Sequence, residues 1–314
     1  MELDPQVRGV LDRIAAMKLQ PPDQLPVTQA REQFMRSREQ FLAQSEAVAS
    51  AREVDLPGPA GVIPARLYRP AGSRPEDRLP VFVFFHGGGW VFGNLESHDA
   101  LCRSLCNAAR CAVLAVDYRL APENRFPAAV DDALAALRYV RDNGAQLGLD
   151  ASRIAAGGDS AGGTLTAVAA LTFRDTGGPH LALQVLLYPV TDLSLESESY
   201  RTLGQGYMLT LERMRFFRNQ YLKGDADVAD WRASPLRAPD VSRLPPALIV
   251  MPSHDPLIGE ARAYGDRLQA AGVNVTWRCY PGMIHGFMTM AGALDLGRKA
   301  IDQTAASIRE ALGT

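Results

Sequence analysis

After about residue 80 the chain settles into a rhythm of short, mainly apolar runs separated by longer stretches with helical periodicity. The runs lie at 81–85 (VFVFF), 112–116, 153–156, 183–188, 247–251 and 275–279; helices fit at 97–109, 128–143, 161–173 and 259–271. A continuous apolar run only a few residues long is the mark of a strand covered on both faces. Strands joined through helices pair in parallel. A final helix over 294–312 brings Leu296, Ala300, Ile308 and Leu312 near one face. Earlier, 53–56 and 65–68 read as short strands around the turn PGPAG. The expectation is an α/β protein with a mostly parallel sheet.

Two regions fall outside the rhythm. Val7, Val10, Leu11, Ile14 and Met17 share one helix face, and Pro21 and Pro22 stop that helix. Thr28 is placed to cap a second helix with Phe34 and Phe41 on one side. Between 193 and 233 no strand is evident, and polar residues mix with Tyr207, Met208, Phe216, Phe217, Tyr221 and Trp231. This stretch reads as a helical insertion. With the N-terminal helices it would form a lid over the edge of the sheet where open α/β sheets bind ligands.

GDSAG, at 158–162, has the form G-x-S-x-G. Chance supplies that pattern in roughly one chain in ten of this length, so its context carries the weight. It follows the strand at 153–156 and opens the helix at 161–173. A sharp strand-to-helix turn needs small flanking residues and pushes Ser160 out at the sheet edge, against a helix N-terminus that favours developing negative charge. HGGGW, at 86–90, follows the strand VFVFF, and chance supplies HGGG on the order of a few times in a thousand. Such glycines bring backbone N–H groups close to a ligand, as acyl transfer requires for its tetrahedral oxyanion. The expected donors come from Gly87, Gly88 and Gly89 in this loop and from Ala161 after the nucleophile. The loop lacks the lysine pattern of a phosphate-binding turn.

A serine needs a base, and there are five histidines. His285 lies in PGMIHGF, a loop after a late strand that can reach across to Ser160. His86 belongs to the oxyanion loop, His98 to a helix and His180 to a GGPH turn. His254 adjoins Asp255, and neighbours on extended chain point apart. Asp255, in the turn after ALIVM, gives the chain order Ser160, Asp255, His285 expected of a strand–turn–helix nucleophile fold. Asp192, after the preceding strand, is the fallback acid and reads better as a loop-capping residue. His98, Cys102 and Cys106 share a helix face, but no fourth ligand is evident for zinc; buried cysteines on an amphipathic helix are commoner.

In order and spacing, HGGGW, DYRLAPENRFPAA (117–129), GDSAGG, YPVTD, SPL (234–236), DPL and HGF resemble the hormone-sensitive-lipase-like family of bacterial carboxylesterases. The resemblance covers nearly the whole chain. It implies an α/β-hydrolase fold, with an eight-stranded, mostly parallel sheet flanked by helices and a helical cap. On that pattern 1–50 is part of the cap, 51–192 the first part of the core, 193–233 the cap insertion and 234–314 the second part of the core. It implies hydrolysis of short- to medium-chain esters, without a cofactor, by the triad Ser160, Asp255 and His285. Two departures stand beside the triad: DPLIGEA replaces a more charged DPLRDEG, of which Glu260 keeps the type, and Thr164 stands where Asn is common.

Trp90, Phe92, Tyr207, Met208, Leu257 and Phe287 are the candidate lining of the substrate pocket. An amidase or lactonase would use the same triad. A ligand receptor on this fold would have lost part of it, whereas all three positions are filled here. The net charge of −2 gives no electrostatic case for nucleic acid or an anionic membrane as partner. MELDPQVRGV is not a secretory signal, and the apolar runs are too short to span a bilayer. Four cysteines form no dense disulfide framework, so a cytoplasmic location is expected. By analogy to the family, the last strand and helix offer a homodimer edge.

Overall fold

The computed structural model describes residues 2–314. Its strands are β1 (Ser50–Gly58), β2 (Gly61–Arg69), β3 (Leu79–Phe85), β4 (Ala112–Val116), β5 (Leu149–Asp159), β6 (Leu181–Leu187), β7 (Ala247–His254) and β8 (Val275–Ile284). They form one sheet in the order β1-β2-β4-β3-β5-β6-β7-β8. β1 and β2 pair antiparallel, as do β2 and β4; every other pairing is parallel. Each strand read from the sequence is present, usually extended by a few residues.

The helices are α1 (Pro5–Ala16), α2 (Val27–Glu39), α3 (Leu95–Ala109), α4 (Ala128–Asn143), α5 (Ala161–Thr176), α6 (Glu198–Leu203), α7 (Leu211–Tyr221), α8 (Ile258–Ala270) and α9 (Asp295–Leu312). Two apolar layers sandwich the sheet. Val81, Val83 and Phe85 of β3 join α4, α5 and α8 on one face, while Phe82 and Phe84 join α3 and α9 on the other. This period-two division of a fully apolar strand is why VFVFF shows no polar alternation.

From β3 the chain crosses to β4 on one side and then to β5 on the other. The C-terminal ends of β3 and β5 therefore lie together, with Phe85 beside Gly158. Such a reversal in strand order opens a crevice at the sheet edge. Both glycine motifs feed into it.

At the N-terminus, Asp4 caps α1 by accepting the Gln6 N–H at 2.8 Å, with Pro5 in the first turn. The predicted Thr28 cap is not formed. α2 begins at Val27 after Pro26, whose fixed φ starts the helix without a side-chain bond, and Thr28 lies inside the first turn. Phe41 falls beyond α2 and is buried. The 193–233 segment contains α6, α7 and short turns and no strand, as its pattern suggested. Its tie to the core is specific: the Phe126 N–H donates to the Tyr221 carbonyl at 2.8 Å, and Trp90 stacks on Tyr221 with centroids 4.2 Å apart. Arg31 fastens α2 by donating to the carbonyls of Val91 (2.8 Å) and Ala121 (2.9 Å).

Candidate active site

Ser160 sits between the end of β5 and the start of α5 with φ 55° and ψ −115°. For a residue with a side chain this conformation costs about 1–3 kcal/mol, which the surroundings must hold in place. They do so through the Ser160 N–H, bonded to the Leu187 carbonyl at 2.8 Å, and through contacts that only glycine permits. A Cβ on Gly158 or Gly162 would run into the Phe85 carbonyl. The bend and the close approach of β3 thus account for both glycines of GDSAG.

His285 Nε2 lies 3.0 Å from Ser160 Oγ, and His285 Nδ1 lies 2.7 Å from Asp255 Oδ2. Asp255 is fully buried, and its other oxygen accepts the Leu257 N–H at 2.9 Å. The imidazole and the Tyr188 ring meet edge to face with centroids 4.9 Å apart. The three residues named from the sequence are therefore joined in one hydrogen-bonded line from carboxylate to hydroxyl. Asp192 is elsewhere, paired with Arg237 at 2.9 Å and accepting the Ser194 N–H at 3.0 Å, as a loop-capping acid would be. His254 Nδ1 lies 2.9 Å from Ser253 Oγ, and its ring meets Tyr207 edge-on.

The HGGG loop is folded tightly. Gly88 has φ 123°, and its carbonyl accepts the N–H groups of Val91 (3.2 Å) and Phe92 (2.9 Å). The backbone N–H groups of Gly88, Gly89 and Ala161 have no acceptor among the described residues. Gly87 corrects the sequence reading. Its N–H donates to Asp159 Oδ1 at 2.7 Å, so it anchors the loop and is not free to face an oxyanion.

That bond belongs to a second buried pair, which the sequence did not reveal. His98 Nε2 lies 3.1 Å from Asp159 Oδ1, and His98 Nδ1 lies 2.8 Å from Ser97 Oγ. Burial pushes the His98 pKa down. Burial also disfavours the Asp159 carboxylate, but His98, Arg38 and the Gly87 N–H outweigh it and hold the group below the usual carboxylate range. His98 Nδ1 is thus within hydrogen-bond reach of Ser97, and Nε2 lies at ion-pair distance from Asp159. Asp159 occupies the variable position of G-x-S-x-G, where the pattern itself demands nothing. Cys102 and Cys106, the would-be zinc partners of His98, are buried in the apolar layer.

Two adjoining cavities share part of their lining, the inner one at Ser160. The inner one, about 40 Å³, is lined by Ser160, His285, the three loop glycines, Leu209 and Phe217 among others. It shares Phe34, Arg38, Phe92, Met208 and Arg213 with an outer cavity of about 660 Å³ between α1, α2 and the insertion. Of the predicted lining residues, Phe92 and Met208 face both cavities and Tyr207 faces the outer one. Trp90, Leu257 and Phe287 do not line either cavity; each is fully buried, Trp90 against Tyr221 and Phe287 against Tyr188 and Tyr280. Arg38 and Arg213 were not foreseen.

A strained serine on a strand-to-helix elbow, in line with a histidine and a buried aspartate beside a glycine loop, defines a serine hydrolase of the α/β type. Comparison with known proteins narrows this. The family model described as "alpha/beta hydrolase fold" matches residues 82–289. Carboxylesterase NlhH of Mycobacterium tuberculosis is 38% identical over 99% of this chain and 97% of its own. Ethyl acetate hydrolase of Pseudomonas putida is 37% identical over 94% and 95%. Carboxylic ester hydrolase LipN of M. tuberculosis is 46% identical over 76% of this chain, and the match spans 64% of LipN. Among solved structures, an ester hydrolase from the metagenome of Lake Arreo, complexed with a derivative of bipyridine phosphonate, superposes with a TM-score of 0.95. It shows 43% identity over 99% of this chain and 100% of that one. The chain belongs to the hormone-sensitive-lipase-like family of carboxylic ester hydrolases. No helix among the described residues is long and apolar enough to cross a membrane.

Proposed function

We propose that the protein hydrolyses short- to medium-chain carboxylic esters through an acyl-enzyme on Ser160. The observation that carries this is the unbroken line Asp255–His285–Ser160, at 2.7 and 3.0 Å. His285 Nε2 takes the proton of Ser160 as Oγ attacks the ester carbonyl. Asp255 holds the imidazole tautomer and stabilises the cation that forms. The N–H groups of Gly88, Gly89 and Ala161 receive the oxyanion, the last at the N-terminus of α5. His285 then protonates the leaving alcohol, and water, activated by the same histidine, releases the acid.

In this reading residues 1–50 and 193–233 act as a cap over a core made of 51–192 and 234–314. Support comes from Phe34 and Arg38 of α2 and from Met208, Arg213 and Phe217 of the insertion, all of which wall the cavity over Ser160. The outer cavity provides the room for chains of medium length. A cytoplasmic location is supported by the four free cysteines, three of them buried. β8 is an edge strand to which a second copy could add as a homodimer.

Hydrolysis of a p-nitrophenyl ester series from acetate to palmitate, by wild type and Ser160→Ala side by side, tests the reading. Activity on the short members that vanishes in the variant is the expected result. Wild-type rates in a purified variant would end the assignment. Amide and lactone substrates at the same concentration separate the two rival activities.

A further inference from the structure

Two arginines face the catalytic cavity without an acidic partner. Arg38 comes from α2 and Arg213 from α7, and both line the inner and the outer cavity. Arg38 Nη1 donates to Thr289 Oγ1 at 2.9 Å, and its guanidinium lies over the Phe34 ring, 4.4 Å from the centroid. A Cβ built on Gly286, the residue after the base, would stand 3.5 Å from Arg38 Nη2, so the cation is packed against the loop that carries His285. The Arg213 side chain makes one hydrogen bond, of 3.4 Å, to the Met208 carbonyl. Among the described residues no carboxylate forms an ion pair with either arginine, whereas Arg31, Arg66, Arg119 and many others are paired.

Burial lowers the pKa of both groups, and for Arg213 the charge of Arg38 lowers it further. Asp159, in the same lining, relieves Arg38 through space without an ion pair, its Oδ1 being held by the Gly87 N–H and His98. The outer cavity also carries Asp12, Asp23 and Glu212, none of them within ion-pair distance of these arginines. A desolvated cation is costly unless paired, and two that repel each other are costlier. An anion arriving with the ligand supplies the missing partner. The planar guanidinium fork suits a carboxylate in particular.

We propose that the preferred substrates are esters that carry a carboxylate of their own, a few bonds from the scissile group, held between Arg38 and Arg213. The class comprises half-esters of dicarboxylic acids and O-acylated hydroxy acids. The proposal rests on the esterase reading and deepens it. The ester reacts at Ser160 as described; the remote carboxylate only binds, and the energy of that contact is available to orient the carbonyl.

The test measures kcat/KM by acid release at low salt for two pairs matched in length. Monomethyl glutarate against methyl pentanoate places the charge on the acyl side. 3-Acetoxypropanoate against propyl acetate places it on the alcohol side. The charged member of at least one pair should be favoured by about tenfold or more, as for one charge-assisted contact. That preference should shrink as NaCl rises from about 0.02 to about 0.5 M. Arg38→Gln and Arg213→Gln should bring the charged-to-neutral ratio towards one, with Arg213→Lys retaining part of it. Each ratio is taken within one preparation, so loss of folded protein cancels. Neutral members hydrolysed as well as or better than charged ones by wild type would overturn the proposal and leave the esterase reading intact. No hydrolysis of any of the four by folded wild type would overturn both.

Discussion

Asp255–His285 and Asp159–His98 are the same chemical pair, and both are buried beside Ser160. They differ in where the second imidazole nitrogen points. In the first pair it faces Ser160 Oγ at 3.0 Å; in the second it lies 2.8 Å from Ser97 Oγ, a hydroxyl of the same helix. The carboxylates differ as well. Asp255 accepts a backbone N–H from its own loop, whereas Asp159 accepts the Gly87 N–H from a loop 72 residues away in sequence. One pair is arranged to move a proton and the other to hold a loop. Burial and residue type are shared, so neither of them distinguishes a base from a strut. The direction of the free nitrogen does.

The largest effect should come from breaking the first pair. Ser160→Ala or His285→Ala should lower kcat about 10⁴- to 10⁶-fold, and Asp255→Asn about 10²- to 10⁴-fold, since a neutral amide fixes the wrong tautomer. The double variant Ser160→Ala/His285→Ala should be little worse than either single one, because the residues act as a unit. Additive losses in steady-state kinetics would separate His285 from Ser160.

Breaking the second pair should give a smaller loss of another kind. Asp159→Ala removes the acceptor of the Gly87 N–H and lets the oxyanion loop shift. The expected cost is about 10- to 100-fold in kcat with KM nearly unchanged, less than removal of an oxyanion donor itself. His98→Ala should also destabilise the fold by about 3 kcal/mol, because it strands a buried carboxylate. His98→Gln, which can still donate to Asp159, should recover most of that stability in denaturant titrations. A loss of kcat from Asp159→Ala as large as that from Asp255→Asn would erase the distinction between the pairs.

The sequence made the first pair legible and left the second hidden. Ser160 and the HGGG glycines announce themselves because a bend and a close backbone approach restrict which residues fit. His285 and Asp255 follow from chain order and from their loops after strands. Asp159 and His98 carry no such restriction, since what joins them is the adjacency of β3 and β5, a tertiary fact. The predicted pocket held at Phe92, Tyr207 and Met208 and failed at Trp90 for a related reason. Trp90 follows the motif directly, but its backbone, at φ 60°, turns the indole into the core against Tyr221. Arg38 and Arg213 read as ordinary solvent-facing helix residues until α2 and α7 are seen to close over Ser160.

A third buried carboxyl extends the comparison, because it has no histidine at all. Glu260 Oε1 accepts the Thr191 N–H at 2.9 Å, tying α8 after the catalytic acid to the root of the insertion. Burial dominates there, and without a cation the pKa is pushed up to about 8, against an ordinary value of 4.5. Asp159, equally buried but facing His98 and Arg38, is held low. The raised value fixes the sign of the pH effect. Between pH 4.5 and 8 the folded protein keeps a proton that the unfolded chain has lost, so Glu260 favours folding fully at low pH and less as pH rises. The slope is at most about 1.4 kcal/mol per pH unit over that window and levels off above it. Glu260→Gln keeps a neutral acceptor for the Thr191 N–H and has no proton to lose. Unfolding free energies of the two proteins should therefore lie close together near pH 5 and diverge as pH rises. By about pH 9 the Gln variant should be the more stable by about 1–3 kcal/mol. A difference that stays constant across the range would mean that Glu260 is ionised in the fold throughout, and that a buried carboxylate here needs no cation to stay charged.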